Sequence, residues 1–212
     1  MQQKDKIIDC YNKAAKNYVA KYGNELDHKH LDRLLLEAFV KRNQHRGKII
    51  DLGCGPGQTT SFIATHGAGN VLGTDLSPVM IEEAQRLHPN IDFEVADMLE
   101  LPYDPGSFAA AIAFYAIVHL GEPQLVSAFS SIARVLKAGG DFLFSFHTGD
   151  HILHMDEFLE QQVSIDFHFF NTAKVVGQLK TSGFSIIDVL ERQPYPEEYP
   201  STRAYIWASK QG

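Results

Sequence analysis

Apolar positions along the chain recur with two different periods. Over residues 5–45, Ile7, Ile8, Tyr11, Ala14, Ala15 and Tyr18 stand three or four apart, the spacing that gathers side chains on one helix face. "DHKHLDRLLLEAFVKR" repeats that period before Gly47. Beyond Lys48 short apolar runs alternate with helical stretches. "GKIIDLG" predicts a buried strand that stops at a glycine turn, "NVLGTD" a second and the alternating "IDFEVAD" a third. "SFAAAIAFYAIVHL" opens as a fourth strand and "DFLFSFH" is a fifth. Between them, Ser77 before Pro78 predicts the start of the helix "PVMIEEAQRLH". "PQLVSAFSSIARVLK" is an amphipathic helix expected to close at Gly139-Gly140. Strands separated by helices predict a parallel sheet with right-handed crossovers, covered on both faces.

The pattern changes near the end. "TAKVVGQLKTSGF" reads as a helix, "SIIDVLERQ" as a strand, and "TRAYIWASK" as a last strand after the turn "PYPEEYP". Two strands joined by a tight loop predict an antiparallel pair at one sheet edge. The expected organisation is one domain over 1–212. It comprises an N-terminal helical cap (1–46), a ligand-binding core (47–146), an insertion over the active-site face (147–171), and the last helix with the strand pair (172–212).

Charge narrows the partners. Nineteen Lys and Arg stand against 26 Asp and Glu, a formal net charge of −7, and the basic residues form no long run. A nucleic-acid footprint needs a Lys/Arg-rich face, so small molecules are the expected partners. "MQQKDKIIDCYNKAAKNY" has no apolar core of signal-peptide length, and no later run approaches ~18 apolar residues. Cys10 and Cys54 make neither a disulfide framework nor a zinc site. The expectation is a cytoplasmic protein without membrane insertion, with a homodimer left open.

The chemistry concentrates at "IIDLGCGPGQTT". Gly53, Gly55 and Gly57 follow a strand at alternate positions, where the backbone can approach a ligand closely. The dinucleotide fingerprint GxGxxG fails because residue 58 is Gln and residue 60 is Thr, and no Gly-Lys-Ser/Thr phosphate loop follows. Asp75 ends the next strand about 20 residues on, where a carboxylate can accept from both ribose hydroxyls; capping the following helix is its other role. Asp97 ends the third strand, placed to accept from an adenine amino group, with Met98 offering backbone N–H and an apolar contact.

These stretches, with "GTDLSPVMIEEAQ", "VADMLELPYDPGSFAAAIAFYAIVHL" and "IARVLKAGGDFLFSF", resemble the successive motifs of class I S-adenosylmethionine-dependent methyltransferases. The likeness is to the small-molecule branch that includes the ubiquinone and menaquinone biosynthesis type, in detail from about Lys48 to Phe146. It implies a doubly wound α/β fold with a seven-stranded, mostly parallel sheet whose last strand is antiparallel. It implies S-adenosylmethionine as cofactor, with S-adenosylhomocysteine as product. Gly53, Cys54 and Gly55 would lie against the methionine part and Asp75 would hold the ribose. Leu76 and Met80 would pack around the nucleoside, and Asp97 and Met98 would hold the adenine. Phe114 and Tyr115 would lie beside the methionyl group, and Asp51 would fix the turn from behind. "YNKAAKNY" resembles a helix whose tyrosines close over the cofactor, which brings in Tyr11 and Tyr18; core packing is the alternative.

Transfer from a sulfonium needs mainly proximity, and a base only where the acceptor holds a proton of high pKa. His119 and His147, just after the fourth and fifth strands, are the candidate bases, each with a structural role as the alternative. His147, His151 and His154 would share a face on one helix, but Asp150 as an N-cap starts the helix after His147, and no metal is expected. In the insertion, Phe167, His168, Phe169 and Phe170 can wall an apolar or planar acceptor, or simply pack it onto the core. Arg203 can clamp an anionic group or stay solvated. A nicotinamide-dependent oxidoreductase and an inactive S-adenosylmethionine-binding protein acting through a partner are the rival functions.

Overall fold

The computed structural model describes residues 3–212 and opens with two helices, α1 (Gln3–Tyr22) and α2 (His30–Asn43). The core then alternates β1 (Ile49–Leu52), α3 (Gln58–Ile63), β2 (Val71–Asp75), α4 (Pro78–Leu87) and β3 (Asp92–Val95). It continues with β4 (Phe108–Phe114), α5 (Glu122–Val135) and β5 (Leu136–His147). A hairpin of β6 (Ile152–Phe158) and β7 (Gln161–His168) follows. Helix α6 (Thr172–Thr181), β8 (Phe184–Arg192) and β9 (Arg203–Lys210) complete the chain.

The seven-stranded sheet runs β3-β2-β1-β4-β5-β9-β8, parallel except for β9, which is antiparallel to both β5 and β8. Reversal of strand order on either side of β1 makes β1/β4 the switch point, where a crevice opens beyond the carboxyl ends. The four residues of β1 are all buried, as are all but the last of β4. Their unbroken apolar runs match a sheet covered on both faces. One face packs α5, α6 and a stack of Phe129, Phe142, Phe144 and Phe184; the other packs Leu36, Phe39 and Val40 of α2. Asp141, wholly buried in β5, ties α2 down through Arg42 Nε at 2.6 Å and Asn43 Nδ2 at 3.1 Å.

Ser77 caps α4 as its position predicts, accepting from the Met80 N–H at 3.1 Å. Two expectations are corrected. Helix α5 ends at Val135 rather than at Gly139-Gly140, and the chain enters β5 directly. The glycines instead serve a register shift between Phe108↔Leu136 and Ala110↔Asp141, where a side chain at Gly140 would meet the carbonyl oxygens of Lys137 and Ala109. The segment after His147 is a β-hairpin, not a helix capped by Asp150. "ILHMDEF" and "QQVSIDFH" alternate with period two, and Leu159 and Glu160 both take positive φ (50° and 64°), the twist a two-residue hairpin turn requires. The hairpin seats Phe158 against Tyr11 of α1 at 5.9 Å between ring centres.

Candidate functional site

At the switch point the chain turns sharply at Gly53, whose φ is 69° and whose missing side chain leaves room for the Ala116 methyl. Gly57, at φ 85°, begins α3 and lies against the Phe93 ring. Behind the turn, buried Asp51 accepts from Thr60 Oγ1 at 2.7 Å. Burial pushes its carboxyl up to about 7. Cys54 turns its thiol away from the crevice, into a small cluster with Ile81, Ala84 and Phe93.

Asp75, at the end of β2, accepts from the Gly55 N–H at 2.9 Å and the Ser77 N–H at 2.8 Å. Its carboxylate thus braces the glycine turn and the start of α4 together. Asp97 accepts from the Leu99 N–H at 2.9 Å and pairs with Lys4 of α1 at 2.8 Å.

These elements enclose one cavity. Gly53, Gly55, Asp75, Leu76, Met80, Asp97, Met98, Phe114, Tyr115 and His119 line it. Tyr11 and Tyr18 of α1 form a roof; α1 is fastened by Asn12, which accepts from Ser77 Oγ at 2.7 Å. Two carboxylates line the cavity and no Lys or Arg does, among the described residues.

The proton positions at one end follow from the partners. His119 Nδ1 lies 2.9 Å from the Asp166 carbonyl, which only accepts, so Nδ1 carries the proton. Nε2 is then a lone pair, and takes the Tyr11 hydroxyl proton at 2.6 Å. Burial drives the His119 imidazole down to about 4, so it is neutral. Tyr115 takes the left-handed conformation (φ 54°), held by its N–H donating to the Ser145 carbonyl and hydroxyl, each at 3.1 Å. Its hydroxyl meets Tyr205 Oη at 3.0 Å; Tyr205 donates to Asp32 at 2.6 Å and accepts from Arg192 Nε at 2.9 Å. The proton between the two tyrosines therefore comes from Tyr115.

Other expected site residues lie elsewhere. His147 bonds Ser201 Oγ through Nδ1 at 2.7 Å and is outside the cavity lining; burial, aided by Arg203 and Lys29, lowers it to about 4. Phe167 packs edge-on against His119 from behind, His168 stacks on Phe170, and Phe170 sits on Phe146 in the core. Arg203 is buried rather than solvated: it donates to the Tyr199 carbonyl at 2.9 Å and lies 3.2 Å from Glu198. The aromatic run and Arg203 thus pack structure around the cavity rather than lining it. Ile7, Thr74, Ala96, Ala116 and Leu120 line the cavity without having been singled out. Ile7 was signalled by its place on the Tyr11–Tyr18 stripe, one turn before Tyr11; the others follow only from neighbouring a predicted residue.

The Asp51 carboxyl makes a pH-dependent contribution. The folded state keeps a proton that the unfolded chain releases near pH 4, so stability falls as pH rises from about 4 to about 7. Three units correspond to ~4 kcal/mol at most. Asp51→Asn keeps an acceptor for Thr60 and loses the titration. Its melting temperature relative to the parent is therefore expected to climb between pH 5 and pH 8. A constant difference over that range refutes the assignment.

Residues 49–140 match the family described as Methyltransferase domain. The O-methyltransferase cnsE of Penicillium expansum is 27% identical over 168 residues, spanning 76% of this chain and 60% of that protein. An O-methyltransferase of Pyrenophora dematioidea is 34% identical over 51% of this chain and 42% of its own. The chain therefore spans about half the length of these curated relatives. The magnesium protoporphyrin IX methyltransferase of Synechocystis, solved with bound S-adenosylmethionine, superposes with a TM-score of 0.75 at 17% identity, covering all of this chain and 98% of that one. In sheet order and in the stretch 49–140, the core of the chain is thus similar to class I methyltransferase domains.

Proposed function

We propose that the protein transfers a methyl group from S-adenosylmethionine to a small-molecule acceptor. The observation that carries this reading is the cavity wall: carboxylates at the ends of β2 and β3, a glycine turn beside them after β1, and no lining cation. A dinucleotide's pyrophosphate is held by a GxGxxG turn, and the glycine pattern here breaks at Gln58 and Thr60. A ribose and an adenine without phosphate suit it. The cofactor, when bound, supplies a methyl group on a positively charged sulfur.

The residues of the chain do the rest. Asp75 accepts from the ribose hydroxyls, and Leu76, Met80 and Met98 flank the nucleoside. Asp97 exchanges Lys4 for the adenine amino group. Tyr11 and Tyr18 close the roof and exclude water, while Phe114 and Tyr115 wall the reacting end. Tyr11 and His119 together can take up an acceptor proton: one arrives at the Tyr11 oxygen as the Tyr11 proton moves to Nε2.

Calorimetry with S-adenosylmethionine, S-adenosylhomocysteine and NAD tests the reading. Micromolar binding of both sulfur compounds and none of NAD is expected. NAD binding without either of them overturns it.

A further inference from the structure

At the end of the cavity lined by Phe114, Tyr115, Ala116, His119 and Leu120, the hydrogen-bonding capacity of the wall is one-sided. The Tyr11 proton is committed to His119 Nε2 and the Tyr115 proton to Tyr205. His119 has both ring nitrogens engaged. What these side chains have left for a ligand is oxygen lone pairs. Of the other lining hydroxyls, Thr74 donates to the Asp51 carbonyl at 3.1 Å, and Tyr18 stands over Gly55 on the side of the glycine turn. No Lys or Arg lines the cavity, and its two carboxylates stand at the ends of β2 and β3.

We infer that the methyl acceptor is an uncharged hydroxyl carried on a flat apolar body, such as a phenol or an enol. This rests on the methyl-transfer reading above and specifies its acceptor. A carboxylate would bring two more acceptors to a wall of lone pairs with no lining cation to offset its desolvation, and Lys29, over the outer face of the Tyr115 ring, is already paired with Glu25 at 2.6 Å. An ammonium would donate to the tyrosines but find no free carboxylate. A neutral hydroxyl donates one hydrogen bond, and Ile7, Phe114 and Leu120 offer apolar surface to the ring that bears it.

The transfer balances. The hydroxyl oxygen bonds to the methyl carbon while the carbon–sulfur bond breaks, its electron pair remaining on sulfur. The hydroxyl proton goes to the Tyr11 oxygen, and the Tyr11 proton passes to His119 Nε2.

The test titrates the protein, saturated with S-adenosylhomocysteine, with three probes that share one ring system: 1-naphthol, 1-naphthoate and 1-naphthylmethylammonium. The naphthol is expected to bind at least about tenfold more tightly than either charged probe, the scale of one buried hydrogen bond made or lost. In Tyr11→Phe that margin is expected to shrink to about threefold or less. Equal or tighter binding of a charged probe overturns the inference. So does a margin unchanged in Tyr11→Phe, or binding of none of the three while S-adenosylhomocysteine binds. Failure of S-adenosylhomocysteine itself to bind is a separate result, and overturns the cofactor reading on which the inference stands.

Discussion

Asp75→Ala is expected to weaken S-adenosylhomocysteine binding by two orders of magnitude or more. Hydrogen bonds to a charged acceptor are worth ~1.5–3 kcal/mol each. Losing two to the ribose hydroxyls gives ~3–6 kcal/mol, or ~10²–10⁴ in affinity. The same carboxylate accepts from the Gly55 and Ser77 N–H groups, so the substitution also loosens the turn and the start of α4. Asp75→Asn separates these effects. It retains one acceptor oxygen but has two donors where the carboxylate had none, so its affinity should fall between those of the parent and the alanine variant. Calorimetry gives the affinities and a circular-dichroism melt checks folding. An alanine variant that binds within threefold of the parent removes Asp75 from the cofactor site.

Gly53→Ala is expected to cost ~2–5 kcal/mol of stability and to abolish cofactor binding. Two independent terms contribute. A side chain at φ 69° adopts a left-handed conformation, at ~1–2 kcal/mol. The new methyl would also overlap the Ala116 methyl on the cavity wall, and such overpacking adds ~1–3 kcal/mol. Gly106 supplies the control: its φ is 72°, yet nothing lies within 4 Å of an added side chain. Gly106→Ala thus carries a positive-φ term without overlap, and the difference between the two variants reads packing at the cavity. Urea denaturation of both would show it. Equal losses would mean that Ala116 yields readily and that the turn is less tightly built than its geometry implies.

The site was legible in the sequence to unequal depth. Gly53, Gly55, Asp75, Asp97 and Phe114 could be placed at one edge because each ends a strand or stands within three residues of its end, and parallel strands deliver their carboxyl ends to one edge. Tyr11 and Tyr18 are less legible, since a helical stripe fixes which side chains share a face but not what that face covers. The insertion was misread for a related reason. "DHILHMDEF" contains both an N-cap residue and a period-two alternation, and only pairing with 161–168 decides between them. His168, Phe170 and Arg203 illustrate the limit of residue type: each suits a ligand, yet their contacts are with the chain's own rings, carbonyls and carboxylate.

By itself, the sequence determined the alternation of strands and helices, the glycine turn, the carboxylates at consecutive strand ends and the mismatch with phosphate-binding loops. All of these are local properties, set by neighbours within a few residues. Only the tertiary structure decided where protons sit. The tautomer of His119 depends on a carbonyl 47 residues away, and the direction of the Tyr115 bond on partners 90 residues away. Hydrogen-bond direction is fixed by counting donors and acceptors around each atom, and that count exists only once the chain has folded.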